Sequence, residues 1–306
     1  MLTLGNFDGV HLGHRALLTE CRRRSTAGEE VVAVTFDPPP VRVLRPEAEP
    51  LRIDALADRV RRLEEAGADR VEVLEPTPEL LAQEAEAFIA TLVERFAPRA
   101  IVEGPDFRFG RKRRGDHGLL AEIGRASDFE AVRLERTHAT LPGGQGVAVS
   151  SSLVRGLAAE GRVADAAACL GRPLDRVARV VRGEQRGRTI GFPTLNLDPA
   201  DLEGCVVPAE GVYAATVDVL NDPDRPSLPA AVSIGTKPTF DGTARTVEAH
   251  LLGFEGDLYG ARVRVGFTRW LRGQRRFAGV EELKAQLRSD AADAATASRL
   301  PETLQA

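Results

Sequence analysis

The first half of the chain alternates short apolar runs with segments of helical periodicity. The apolar runs lie at 2–4, 31–36, 70–74, 99–104 and 130–136. In the clearest helix between them, the apolar residues recur three or four positions apart along one face. They are Ala85, Phe88, Ile89, Leu92, Val93 and Phe96. Alternating strands and helices predict a parallel sheet with helices on both faces, whose ligands bind at the carboxyl ends of the strands.

The pattern changes in the second half to closely spaced strands. Residues 149–174 first predict two short helices and end in "LGRPL", which is typical of a domain boundary. A single helix is predicted to begin near Gly279. Strands that follow one another without intervening helices predict an antiparallel barrel. The predicted strands lie at 176–184, 211–220, 229–236, 245–252 and 261–271.

Composition is that of an ordinary globular protein. The 306 residues, 43% of them hydrophobic and 28% charged, are too many for most single cores, so two domains are expected. A net charge of −4 gives no sign of a nucleic-acid or membrane partner, whereas a homo-oligomer is compatible with it. Cys21, Cys169 and Cys205 are odd in number and far apart, which disfavours disulfides and zinc. With no signal-peptide pattern at Met1 and no bilayer-length apolar run, we expect a cytoplasmic protein.

One stretch near the start, "GNFDGVHLGH" at 5–14, places an acid and two histidines in a glycine-rich turn. Its glycines let the backbone turn tightly and approach a ligand. A helix that begins near His11 would present His11 and His14 on one face at its positive end, which favours a triphosphate. One alternative is a helix capped by Asp8 with solvated histidines. A metal site is a weaker alternative, because no third ligand lies within sequence reach.

The same stretch matches the HxGH signature of the nucleotidylyltransferase superfamily, and its full length resembles the bacterial bifunctional riboflavin kinase/FAD synthetase family. Neither of the common phosphate-binding motifs, GxxxxGK[ST] and GxGxxG, occurs in the chain, so a nucleotide site must be built from a different motif. Two later stretches agree with the family: "GPDFRFGRKRRGD" at 104–116 is similar to its G-x-[DN]-F-x-F-G segment, and "VSSSLVR" at 149–155 to its [IV]-S-S-T-x-[IV]-R segment. In the family these segments line the adenylyl-transfer site.

The resemblance assigns roles to residues of the first half. It makes His11 and His14 electrostatic stabilisers of the departing pyrophosphate rather than nucleophiles. Serine hydroxyls and an arginine fork can both donate hydrogen bonds to phosphate oxygens. The implied nucleotide or phosphate contacts are Gly5, Asn6, Phe7, Asp8, Gly9, Asp106, Ser151, Ser152 and Arg155.

The second half contains "GRTIGFPTLNL" at 187–197, which is similar to the riboflavin kinase PTAN motif with Leu195 in place of Ala. Without the family, "PTLN" would be interpreted as a turn after a proline. The Thr194 hydroxyl and the Asn196 amide oxygen are hard ligands suited to Mg²⁺, and residues two apart on an extended strand face the same side. The resemblance also implies nucleotide contacts at Gly187, Arg188, Gly191, Pro193 and Thr194.

Two further segments of the second half carry candidate chemistry. In "VEAHLL" at 247–252, strand alternation sets Glu248 and His250 on the face opposite the apolar residues. Taken alone this is an exposed sheet face, whereas the resemblance makes Glu248 the general base that accepts the proton of the ribityl 5′-hydroxyl. The segment 270–290 is similar to the strand and terminal helix that help cover the flavin in the family. The implied flavin contacts are Arg272 and Phe277.

The resemblance therefore implies an α/β protein with two catalytic domains. A Rossmann-like nucleotidylyltransferase domain over 1–172 would adenylylate FMN with ATP, forming FAD and releasing pyrophosphate. An antiparallel β-barrel riboflavin kinase domain with a terminal helix, over 173–306, would phosphorylate riboflavin with ATP and Mg²⁺ to give FMN. Riboflavin, FMN, FAD and ATP are thus the expected small-molecule partners.

Two departures from the family pattern motivate an alternative function. Pro39 stands where the family often has His, and Ala148 where it usually has a basic residue. The alternative is a riboflavin kinase whose N-terminal domain is a degenerate nucleotide-binding or assembly module. A different nucleotidylyltransferase, acting on a sugar or pantetheine phosphate, would explain the two histidines but not the second domain. A nucleic-acid module is disfavoured by the acidic balance and the few aromatic residues.

Overall fold

A computed structural model of the chain describes residues 1–239 and 242–297. It consists of two compact units, each with its own apolar core. One unit comprises 1–139 and 146–151, and the other comprises 140–145 and the chain from 152 onward.

The first unit is built on five parallel strands. They are β1 (Leu2–Leu4), β2 (Val32–Phe36), β3 (Arg70–Leu74), β4 (Ala100–Glu103) and β5 (Glu130–Arg133). Their order in the sheet is β3-β2-β1-β4-β5, and every neighbouring pair is parallel. The chain thus winds outward from β1 first in one direction and then in the other, which opens a crevice at the carboxyl ends of β1 and β4. The predicted parallel sheet is confirmed.

Six helices accompany this sheet. They are α1 (Leu12–Arg24), α2 (Pro40–Leu44), α3 (Leu56–Glu65), α4 (Pro78–Leu81), α5 (Ala85–Phe96) and α6 (His117–Ser127). Alternate residues of β2 face opposite sides, so that Ala33 joins an apolar cluster with α1 and α3, and Val34 joins another with α5 and α6. The predicted helices on both faces are therefore confirmed, and α5 has the bounds that its periodicity predicts.

A short pair of strands and two helices follow the parallel sheet. The strands are β6 (His138–Thr140) and β7 (Gly146–Ala148), and the helices are α7 (Ser151–Ala159) and α8 (Val163–Leu170). The two helices are those predicted over 149–174. The compact units divide at the start of α7, and the domain boundary predicted between residues 172 and 173 stays a prediction.

The second unit contains a closed antiparallel barrel. Its elements are β8 (Leu174–Val181), α9 (Arg186–Thr189), β9 (Leu195–Leu197), α10 (Pro199–Leu202), β10 (Gly211–Val219), β11 (Leu228–Thr239), β12 (Gly242–Leu251), β13 (Arg262–Arg272) and α11 (Val280–Ala297). The strand order is β10-β11-β12-β9-β8-β13, and pairing of β13 with β10 closes the barrel. The predicted antiparallel barrel and its terminal helix are confirmed.

Alternate residues along the strands fill the barrel interior. Tyr213, Ala215, Val217 and Val219 of β10 are all buried, and the inward residues of the other strands meet them in one cluster. The Tyr213 hydroxyl donates a hydrogen bond to the Ala209 carbonyl (2.6 Å), so the polar end of this buried ring is satisfied. Within the described residues, no helix has both the length and the apolar character needed to cross a membrane.

Candidate active sites

The glycine-rich turn after β1 is wound tightly at the carboxyl edge of the parallel sheet. Phe7 and Val10 have positive φ angles of 47° and 37°, and Gly9 has one of 86°. Helix α1 then begins at Leu12, where the Nδ1 atom of His11 accepts a hydrogen bond from the His14 N–H (3.3 Å). His11, rather than Asp8, is therefore the cap of α1.

The two predicted histidines lie against each other at this helix start. Their rings stack with centroids 3.6 Å apart and an interplanar angle of 15°. Gly13 makes the stack feasible, because a Cβ there would lie 3.2 Å from the His11 ring. Burial, together with the neighbouring His11 imidazole, holds the pKa of His14 well below its usual value. His14 is therefore neutral at neutral pH.

The environment of His14 also indicates which of its two ring nitrogens can donate a hydrogen bond to a ligand. Its Nδ1 atom is buried and has no hydrogen-bond partner among the described residues. A buried nitrogen without a partner costs less as a lone pair than as an N–H, which favours the tautomer protonated on Nε2. An N–H on Nε2 and the backbone N–H groups of Leu12 and Gly13, at the start of α1, together favour an anion.

Asp8 has a structural environment that sequence reasoning did not reveal. Its carboxylate is 6% exposed and accepts hydrogen bonds from the backbone N–H groups of Ile53 (2.9 Å) and Asp54 (3.1 Å). Its own carbonyl accepts a bond from the Ser151 hydroxyl (2.7 Å). The carboxylate bonds tie the turn to the segment before α3, and the Ser151 bond ties it to the start of α7. The predicted nucleotide contacts of Asp8 and Ser151 stay predictions.

A buried arginine beneath the turn was also missed. Arg59 of α3 is 3% exposed and donates to the Asn6 carbonyl (Nη1, 3.0 Å) and to the Asp37 carboxylate (Nη2, 3.0 Å). The one sequence signal is that Arg59 lies four residues before buried Leu63, on what should be the apolar face of α3.

The remaining predicted contacts of the first half lie on loops and on α7. Gly5 is half-buried, and its N–H donates to the Val34 carbonyl (3.0 Å). Asp106 is exposed and forms an ion pair with Arg136 (2.7 Å). On α7, Ser152 is exposed and Arg155 is half-buried. No described contact tests the predicted roles of these residues.

In the barrel, the predicted kinase residues converge on two paired strands. Glu248 of β12 lies opposite Asn196 of β9 in the antiparallel register. The Thr194 hydroxyl lies 3.5 Å from Oε2 of Glu248. Val247 and Ala249 are buried while Glu248 is half-exposed, so the predicted alternation of this strand is confirmed. A hydroxyl, an amide oxygen and a carboxylate are a donor set that fits a hard cation such as Mg²⁺.

Glycines shape the loop that presents these oxygens. A Cβ on Gly187 would lie 2.2 Å from the Phe192 carbonyl oxygen, and the Phe192 N–H donates back to the Gly187 carbonyl (2.8 Å). Sequence reasoning missed Gly183, where a Cβ would lie 2.4 Å from the Asn196 amide nitrogen. Nδ1 of His250 lies 2.8 Å from the Pro193 carbonyl oxygen, which fixes the residue before Thr194.

A cavity of about 300 Å³ lies beside this cluster in the barrel. Its lining includes Arg188, Pro193 and Thr194 together with the loop at 254–259 and apolar strand residues. A cavity of this size with a few polar groups among apolar ones is typical of a small-molecule site. Three of the predicted nucleotide contacts therefore line one cavity.

The predicted flavin contacts have other partners in the structure. Arg272 pairs with Asp290 of α11 through Nε (2.9 Å) and Nη2 (2.7 Å), and Asp290 is 2% exposed. The guanidinium carbon of Arg275 lies 4.7 Å from the centroid of the Phe277 ring, and that of Arg272 lies 5.8 Å from it. Flavin contacts at Arg272 and Phe277 stay predictions.

Comparisons with known proteins cover both units. Residues 1–152 match the FAD synthetase family and residues 170–298 the riboflavin kinase family. The bifunctional riboflavin kinase/FMN adenylyltransferase of Escherichia coli (strain K12) is 39% identical over 95% of this chain and 90% of its own length. The enzyme of the same description from Pseudomonas fluorescens is 36% identical over 95% and 91%. A crystal structure described as a macrolide-efflux protein from Streptococcus pneumoniae is similar with a TM-score of 0.85 and 30% identity, over 96% of this chain and 93% of that one.

Proposed function

The chain belongs to the bifunctional riboflavin kinase/FMN adenylyltransferase family, and from that premise we propose how its residues carry out the two reactions. It phosphorylates riboflavin to FMN and adenylylates FMN to FAD. The kinase-only alternative is not supported, because residues 1–152 match the FAD synthetase family and the bifunctional relatives align over nearly the whole chain. The residue assignment rests on one observation: the groups predicted for each reaction lie close together within one compact unit.

In the barrel, Glu248 accepts the proton of the ribityl 5′-hydroxyl as that oxygen attacks the γ-phosphorus of ATP and ADP leaves. A carboxylate in this role typically contributes about 10²–10⁴-fold to the rate. Thr194 and Asn196 hold Mg²⁺, which when bound neutralises phosphate charge. The register of Glu248 with Asn196 and the 3.5 Å contact with Thr194 support this assignment.

In the first unit, a phosphate oxygen of FMN attacks the α-phosphorus of ATP, and pyrophosphate leaves. His11 and His14 stabilise the charge that builds on the leaving pyrophosphate. The stacked rings at the N-terminus of α1, with the buried Nδ1 of His14, support this role, since Nε2 is left to donate. Loss of one such preorganised donor typically costs about 10²–10³-fold in rate.

The finer contacts and the compartment complete the proposal. The backbone from Gly5 to Gly9 and the side chains of Asp106, Ser151, Ser152 and Arg155 contact the nucleotide or the flavin phosphate. Gly187, Arg188, Gly191 and Pro193 contact the ATP of the kinase reaction. We place the enzyme in the cytoplasm, where the three free cysteines would stay reduced.

The test separates the two sites within one chain. His11→Ala should stop FAD formation from FMN while FMN formation from riboflavin persists, and Asn196→Ala should do the reverse. Chromatographic assays with riboflavin and FMN as separate substrates measure both. Equal loss of the two products in either variant, with the protein still folded by circular dichroism, would refute the two-site assignment.

A further inference from the structure

A buried cation holds the backbone that leads into the FAD synthetase site. Arg59 is 3% exposed and contributes one guanidinium nitrogen to the Asn6 carbonyl and another to the Asp37 carboxylate. A buried charge is costly unless it is paired and hydrogen-bonded. The two terminal nitrogens of Arg59 meet that condition by bridging the carboxyl ends of β1 and β2, where the ligands of such sheets bind, while its buried Nε has no hydrogen-bond partner among the described residues.

The Asn6 carbonyl is fixed from two directions. Besides Arg59, the hydroxyl of the fully buried Thr35 donates to it (3.2 Å). The next residue, Phe7, has a φ of 47°, a left-handed conformation that is strained for a non-glycine residue. Two donors on one carbonyl set the plane of the peptide between Asn6 and Phe7, and so stabilise this conformation.

Phe7 transmits this constraint to the histidines. Its ring is 1% exposed and meets His14 edge-on, with centroids 5.2 Å apart. His14 in turn stacks on His11. The contacts therefore run from Arg59 through the Asn6 carbonyl and the Phe7 ring to His14, while no hydrogen bond within the described residues joins Arg59 to either histidine.

We propose that Arg59 is a positioning residue for adenylyl transfer, which sets the orientation of His14 through the Asn6–Phe7 peptide. This inference rests on the proposed role of His11 and His14. Arg59→Met keeps the aliphatic stem and removes both hydrogen bonds. Because a 1 Å misplacement of a reacting group can cost 10²-fold, kcat for FAD formation should fall about 10-fold or more. The KM for ATP should change less, because the loss lies in transition-state stabilisation.

Two further variants make the test specific. Arg59→Lys keeps the charge but has its three N–H donors on one nitrogen, which cannot span the two acceptors as a guanidinium does, so its kcat should lie between those of the wild type and Arg59→Met. Arg61→Met is the matched control, because Arg61 lies on the same helix, is partly exposed, and forms its ion pairs among the described residues with Asp58 and Glu65. Circular dichroism reports folding of each variant, and FMN formation in the barrel should stay at the wild-type rate.

The decisive readout is the imidazole signal of His14. In NMR spectra of the full chain, its Cε1–H resonance and pKa should move in Arg59→Met and not in Arg61→Met. Unchanged kcat in Arg59→Met, or lost activity with an unmoved His14 resonance, would overturn the inference. If Arg59→Met does not fold, the test rests on Arg59→Lys alone. A wild-type kcat for FAD formation in Arg59→Lys would then overturn the inference. His14→Gln tests the proposed function separately: if His14→Gln loses FAD formation and the Arg59 variants keep it, only the inference fails.

Discussion

At the scale of single residues, Glu103 shows how burial changes the chemistry of an ordinary side chain. It ends β4 at 1% exposure, and its Oε1 accepts a hydrogen bond from the Leu4 N–H (2.6 Å). Burial raises the pKa of this carboxyl well above its usual value. The folded protein therefore keeps a proton that the unfolded chain loses near pH 4–5. This carboxyl contributes less to stability as pH rises toward its folded pKa.

The first prediction follows from the direction in which stability changes with pH. Glu103→Gln keeps an acceptor for Leu4 and has no proton to lose, so it should gain stability relative to the wild type as pH rises from 4 to 8. Thermal unfolding across this range measures the difference. Glu94→Gln, at an exposed position of α5, should track the wild type. Parallel curves for Glu103→Gln and the wild type would contradict the prediction.

The second prediction concerns His14, whose pKa is lowered by burial and by His11. A bound pyrophosphate would favour the charged imidazole, so binding should take up protons and strengthen as pH falls toward the lowered pKa of His14. Isothermal titration with pyrophosphate in buffers of different ionisation enthalpy measures this uptake. His14→Gln should lose it, and equal uptake by both proteins would count against the assignment.

The site residues that could be predicted are those whose partners follow from local pattern. Strand alternation was enough to place Glu248 on the outward face, and the two-residue spacing to align Thr194 with Asn196. The contacts of Arg59 and Asp8 could not be predicted, because they join segments 53 and 45 residues apart. Such contacts depend on the order of strands in the sheet, which no local periodicity encodes.

At the scale of elements, the helices and strands that could be predicted are again those with a clear local sequence signal. The bounds of β3 and α5 agree with their patterns, and in α5 the apolar residues alone decide which face is buried. Helix α6 was missed because it contains two glycines, which disfavour helices. Its Gly124 has a packing reason, since a Cβ there would lie 2.5 Å from the Phe129 carbonyl oxygen.

The third prediction concerns the docking of α11. The Arg272–Asp290 pair joins β13 to this helix, and Asp290 is almost fully buried. Removing one partner of a buried pair typically costs about 3–5 kcal/mol, so Arg272→Met should clearly lower the free energy of unfolding. Arg275→Met is the matched control, because its pair with Glu282 is exposed and such pairs contribute about 1 kcal/mol or less. Similar urea-unfolding midpoints for the two variants would refute a docking role.

The fourth prediction tests the loop that holds Thr194. In Gly187→Ala the new methyl group would clash with the Phe192 carbonyl, so the loop must move and FMN formation should fall strongly. FAD formation from FMN should persist, because the change lies in the other unit. Gly235→Ala provides the control, since a Cβ there meets only ordinary contacts at 3.7 Å or more. Wild-type FMN formation in Gly187→Ala would show that the loop geometry does not matter.

At the scale of the whole molecule, the two proposed sets of reacting groups share one chain. The fifth prediction is that His11→Ala and Asn196→Ala complement each other in one tube. The first should release FMN from riboflavin, and the second should convert that FMN to FAD. Chromatography of the mixture should show FAD from riboflavin, which neither variant makes alone. Accumulated FMN without FAD, although each variant is active on its own substrate, would contradict independent sites.

The strand order of the barrel has a consequence for synthesis on the ribosome. The strand β13 pairs with β8, which begins at Leu174, on one side, and with β10 on the other. The barrel therefore stays an open sheet with two unpaired edges until residue 272 has been translated and has left the exit tunnel. All five strands of the parallel sheet emerge before residue 134, so that sheet can form while the barrel is still incomplete. The groups proposed for FAD formation, which end at Arg155, are thus synthesised before the last strand of the barrel that carries the groups proposed for FMN formation, in the reverse of the order in which the finished enzyme uses them.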